Sequence, residues 1–156
     1  MKEELEDTIL EWLKTLEFED KEIADSFIRG RADKPSGNST IIVDFHRPIT
    51  QKPREQRIGT VTKKIKGQGT ITCIYKAVDP NGNLIKDAEK FNDKVPDLIV
   101  DTIFKDPTLE SNVPGSVDVT SVETGYLELR QTEDNYPFIS VITFEYDGLW
   151  VSPIIE

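Results

Sequence analysis

At 156 residues the chain is long enough to bury a core without disulfide support, and its one cysteine, Cys73, has no intramolecular partner, so a reducing, intracellular compartment is expected. Asp and Glu outnumber Lys and Arg by 29 to 19, a formal net charge of −10 that argues against nucleic-acid or anionic-membrane binding through the bulk surface. No apolar run reaches the roughly 18 residues that span a bilayer. Met1-Lys2-Glu3-Glu4 opens on acids where a secretory signal needs a basic start, so a soluble, cytoplasmic protein is expected at synthesis.

Leu5, Ile9, Trp12, Leu13 and Leu16 recur three and four residues apart, which predicts an amphipathic helix over 3–16 with Glu4, Glu6, Asp7, Glu11 and Lys14 on its polar remainder. A short apolar group (Ile23, Ala24, Phe27, Ile28) precedes a loop signalled by the turn residues of 33–38. Residues 40–46 alternate, with Ile41, Val43 and Phe45 on one side, and predict a half-buried strand. Pro48 and Pro53 predict a loop over 48–56, because proline cannot continue a central ladder. Residues 58–66 and 70–78 read as a hairpin turning at Gly67-Gln68-Gly69.

Asp79-Pro80-Asn81-Gly82-Asn83 is a turn, and Leu84, Ala88, Phe91, Val95, Ile99 and Ile103 follow at helical spacing. Pro96 inside that pattern predicts a kink or two shorter helices meeting near 94–96. After a loop over 108–115, residues 117–131 and 138–146 read as long strands joined by a polar turn at 132–135. The second is apolar on both sides and therefore central. Gly148 and Pro153 are expected to break regular structure in the apolar tail at 147–156.

Charge is unevenly placed. Arg47, Lys52, Arg54, Arg57, Lys63, Lys64 and Lys66 stand against one acid, Glu55, so residues 47–66 carry about +6 and the remainder about −16. That separation suits attraction between copies or toward an acidic partner; a hairpin that is merely solvated and basic is the plainer reading. His46 and Cys73 are each alone, leaving almost no zinc ligand set. Asp79, Asn81 and Asn83 imitate a calcium loop, but Leu84 and Lys90 stand where glycine and a bidentate carboxylate are needed. No Gly-x-Ser-x-Gly elbow is present, and Gly67-x-Gly69 lacks the continuation that cradles phosphate. No catalytic residue, cofactor or metal is therefore assigned.

In its order of elements the chain resembles the tail terminator and head–tail completion proteins of long-tailed bacteriophages. The resemblance rests on the N-terminal helix, the mid-chain hairpin, the Pro-interrupted helical segment over 84–104, and the closing pair Thr120-Ser121-Val122-Glu123-Thr124-Gly125-Tyr126 and Ser140-Val141-Ile142-Thr143-Phe144-Glu145-Tyr146. It implies a single α+β domain over 1–156: a mixed, mostly antiparallel sheet flanked by the two helical segments, with a projecting basic hairpin at 47–66 and a C-terminal extension at 147–156. It further implies a non-enzymatic virion protein that builds a ring, six copies being typical. Such a ring ends tail-tube polymerisation and offers the head-joining surface, with the tube protein and the head–tail connector as partners and DNA only passing through the lumen. The place implied is the host cytoplasm during assembly and then the head-proximal end of the tail. The seven basic residues become the candidate inter-subunit or tube contacts. Two other classes remain open: a small acidic accessory domain that docks a basic partner, and an enzyme whose site is assembled from scattered groups such as Asp44, Arg47 and Glu128.

Overall fold

The apolar stripe at the N-terminus folds into helix α1 (Lys2–Lys14), which buries Leu5, Ile9, Leu10, Trp12 and Leu13. The structure is a computed structural model that describes residues 1–30, 37–57, 59–111, 115–127 and 137–153. It is an α+β fold. After α1 come a two-residue hairpin, β1 (Glu17–Phe18) and β2 (Lys21–Glu22), and then β3 (Ser26–Arg29), β4 (Ser39–Phe45), β5 (Thr50–Arg57) and β6 (Thr60–Lys76). Helix α2 (Ala88–Lys105) follows, and the chain closes on β7 (Gly115–Leu127) and β8 (Pro137–Pro153).

The main sheet runs β3-β4-β6-β8-β7, with β5 beside the first half of β6. Only the β3–β4 pair is parallel. Strand β8 lies between β6 and β7, the central place expected from its composition. Register sorts the side chains. Ile41, Val43 and Phe45 of β4, Ile71, Cys73 and Tyr75 of β6, and Ile142, Phe144 and Tyr146 of β8 share one side and are all buried. Both helices pack there: α1 against β3, β4 and β7, and α2, through Val95, Ile99 and Ile103, against β6, β8 and β7. Among the described residues no helix lies on the other side of the sheet.

Four expectations change. Residues 48–56 are not a loop, since β5 occupies 50–57. Pro53 is tolerated because β5 is an edge strand, where the missing N–H withdraws nothing from a second neighbour, and a bulge follows between Pro53 and Glu55. Gly67 and Gly69 are not a turn, since β6 runs unbroken for 17 residues, about 55 Å at ~3.3 Å per residue. The helix after the 79–83 turn starts at Ala88, later than expected; Leu84 forms an isolated bridge to Val78, and α2 passes through Pro96 as one helix. Gly148 does not end regular structure, because β8 extends to Pro153 with Gly148 opposite Ile65 and Val117. The expected turn at 132–135, most of the 33–38 loop, and residues 154–156 lie outside the described residues.

The glycines in β6 and β8 exist for close approach. A Cβ at Gly69 would stand 2.5 Å from Cζ of Phe144, and one at Gly67 would stand 2.8 Å from Oη of Tyr146. Gly148 is tighter, with its virtual Cβ 2.1 Å from the backbone oxygen of Ser116, which cannot rotate away. Gly148→Ala is therefore expected to cost at least about 1–3 kcal/mol as overpacking. Gly125→Ala, on β7 with open space around it, is the matched control. Urea midpoints should fall for the first and stay within about 0.5 kcal/mol of the parent for the second.

Candidate interaction surface

The seven basic residues do not form one cluster. Arg47 is exposed in the connection between β4 and β5. In β5 and β6, Thr50 pairs with Lys66 and Lys52 with Lys64, so alternation puts Lys52, Lys64 and Lys66 on the uncovered side of the sheet. Lys63 points to the helix side and donates from Nζ to Oε1 of Gln51 at 3.3 Å. Arg54 is exposed at the bulge. Arg57 ends β5, and its side chain lies outside what is described.

The uncovered side is graded along the strands. At one end Ile42, Thr72 and Val141 lie in a row, with Ile74 and Ile139 in the next, all half-buried. The middle row is polar and bonded to itself: Gln68 Nε2 donates to Glu145 Oε1 at 3.2 Å, and Ser121 Oγ donates to Glu145 Oε2 at 3.3 Å. Beyond it two charged rows follow, Thr50-Lys66-Asp147-Asp118 and Lys52-Lys64-Leu149-Ser116. These rows floor a cleft of about 640 Å³, which Thr108 and Ser111 also line.

Those two residues come from the loop after α2, which runs along the outer edge of β7. Val119 N–H donates to Pro107 O at 2.9 Å, and Val117 N–H donates to Ser111 Oγ at 2.8 Å. Asp106 holds the loop by accepting from the backbone N–H groups of Thr108 and Glu110, and its carboxyl is held below the ordinary range by the Thr108 hydroxyl first and then by those amides. Asp118, Asp147 and Leu149 were not singled out in the sequence. Only the register across β6, β8 and β7 brings them beside the lysines.

Asp44 is engaged by Lys2 at 3.0 Å, and Glu128 lies outside the described residues. Among the described residues the one buried carboxylate is Glu6, 2% exposed although its place in the helix pattern predicts a polar face. Its role is structural. Strand β3 ends opposite Val43, leaving the Phe45 amide beyond it, and Glu6 Oε2 accepts that N–H at 3.0 Å with Lys2 Nζ 3.4 Å away. Burial pushes the Glu6 carboxyl above its ordinary range, partly opposed by the Phe45 amide and Lys2.

Cys73 is fully buried, and desolvation pushes its thiol up to about 12, which makes it inert as a nucleophile. Among the described residues no three His, Cys, Asp or Glu side chains are placed to hold a metal ion, and no helix is long and apolar enough to cross a membrane. A scan against protein-family models finds no match to this chain, and a search of curated proteins finds no similar sequence.

Because the folded state holds the Glu6 proton more tightly than the unfolded chain does, this group's contribution to stability is full below the ordinary carboxylate range. It is lost as pH rises through the raised folded value. Wild type should therefore gain stability relative to Glu6→Gln as pH is lowered from 7 toward 5, read as the difference between their urea midpoints. Glu6→Leu, which leaves the Phe45 N–H without an acceptor, is expected to cost about 1–3 kcal/mol at pH 7.

Proposed function

We propose that this chain is a non-enzymatic, ring-forming structural subunit of the tail-terminator kind. Its ring would end polymerisation of a tail tube and present the surface that the head–tail connector joins. The observation that carries the reading is the division of the fold into two unlike layers. One side of the sheet is covered by two helices, the other carries no helix among the described residues, and the basic β5–β6 hairpin extends from a chain whose remainder is acidic. A subunit whose two sides differ in shape and charge suits head-to-tail association, which closes into a ring when the rotation per copy divides a full turn.

In this reading the seven basic residues are contacts to a neighbouring copy or to the tube, and the work done is mechanical. Seating on the last tube ring occupies the surface to which the next tube subunit would add. A lumen lined by the acidic remainder would let DNA pass without adhering, since phosphates meet like charge. The protein would reside in the host cytoplasm during assembly and afterwards at the head-proximal end of the tail.

The acidic N-terminal 25 residues, with ten Asp or Glu against three Lys, also suit an accessory domain that docks a basic protein; that reading requires a stable monomer and a stoichiometric complex. Light scattering across a wide concentration range, with negative-stain images of the same samples, decides between them. Closed rings of one copy number are expected. They should dissociate as salt rises from about 0.05 to about 0.5 M, because the Debye length falls below ~5 Å. A monomer at every concentration would sink the ring reading.

A further inference from the structure

Three lysines of the basic hairpin and the outer acidic row of the N-terminal helix lie on opposite sides of the sheet and do not meet within one molecule. Lys52, Lys64 and Lys66 project from the uncovered side of the sheet, whereas α1 packs on the covered side. Along the outer face of α1, Glu4, Asp7 and Glu11 stand at spacings of three and four residues, so they form one row; their side chains are 60%, 60% and 74% exposed, and they face the Met1 amine, Arg29 and Lys14 of their own chain through weak surface pairs that a neighbour's lysines can replace at little cost. The row is about 10 Å long at ~1.5 Å per residue. The lysines form a triangle with edges of about 5–8 Å, set by cross-strand and i, i+2 spacing. The two patches are opposite in sign, comparable in size and carried on opposite layers.

We propose that the lysine cleft on the uncovered sheet face receives the acidic outer face of α1 from a second copy of this chain. The inference rests on the ring-forming reading and names the two surfaces that would build it. The contact is heterologous: each copy offers its lysine cleft to one neighbour and its helix row to the other. Leu149, between Lys64 and Ser116 on the cleft floor, supplies an apolar centre among the charges. Asp147, directly opposite Lys66 in the register, and Asp118 one strand beyond it repel a misplaced acidic row and so set where it seats.

The test is a charge swap on the full chain. One variant carries Lys52→Glu, Lys64→Glu and Lys66→Glu; a second carries Glu4→Lys, Asp7→Lys and Glu11→Lys; a third carries all six. Circular dichroism and thermal melts establish that each folds, and light scattering reads assembly. Each triple variant is expected to associate at least about tenfold more weakly than wild type, and the six-fold variant is expected to recover ring formation. Mixing the two triple variants in equal amounts should also restore assembly, with the two kinds of copy alternating, because the native pairing joins each copy to one neighbour and the reversed pairing joins it to the other.

Rings that persist in the lysine variant would overturn this contact while leaving the ring reading intact. A folded six-fold variant that stays dispersed would overturn the pairing of these two faces. A wild type that is monomeric at every concentration overturns both proposals together.

Discussion

The packing of two aromatic rings against two glycines is the constraint on which the rest of this fold depends. Phe144 and Tyr146 of β8 lie over β6 where Gly69 and Gly67 leave its backbone bare. Phe45 from β4 meets both rings edge-on, with centroids 5.6 and 5.0 Å away. A one-residue slip of β8 on β6 would carry every buried side chain of β8 to the other side of the sheet and drive the rings into a Cβ-bearing position. That packing therefore holds a single register along all 17 residues of β6. The same register decides which lysines emerge on the uncovered side, so the charged cleft is a consequence of core packing that begins one residue along the strand from Lys66. The arrangement has a cost: the Tyr146 hydroxyl is buried with no hydrogen-bond partner among the described residues, and burial pushes it up to about 12.

A second constraint ties the layers together. Strand β3 is only four residues long, and where it stops the β4 backbone needs another acceptor. Glu6 supplies it from α1, and Lys2 bridges Glu6 to Asp44. On the other flank of the core, Tyr75 donates to Ile23 O at 2.7 Å and packs edge-on against Phe91 of α2. Phe91 in turn meets Phe18 on the small β1–β2 hairpin. These contacts hold helix and hairpin on one side of the sheet, and the other side is left to polar rows and half-buried aliphatics.

Legibility in the sequence followed periodicity. Helix α1, strand β4 and the central place of β8 were readable because apolar residues recur there with a helical or strand period. Three of the changed expectations share one cause, the treatment of glycine and proline as breaks in structure. Gly67, Gly69 and Gly148 serve close approach within long strands, and Pro53 marks an edge; both uses depend on neighbours that are remote in sequence. Glu6 was placed on the polar face of its helix because nothing local reveals that an amide 39 residues later lacks an acceptor. The charge excess of the hairpin was legible as composition. Its division into Lys52, Lys64 and Lys66 on one face and Lys63 on the other was not, because it required both the true position of the β5–β6 turn and the pairing of β6 with β8.

The two sides of this sheet place different demands on any partner. A two-fold dimer joins identical patches, so it would set lysine against lysine if it used the cleft, or acid against acid if it used α1. Both arrangements bring like charges together in a contact that excludes water, where their repulsion is least screened. Head-to-tail contact avoids the penalty, since each copy meets its neighbour through the patch of opposite sign. The separation of charge between layers thus favours head-to-tail association over a two-fold dimer. In such a contact, burial of the aliphatic rows would supply attraction and the charges would select its direction.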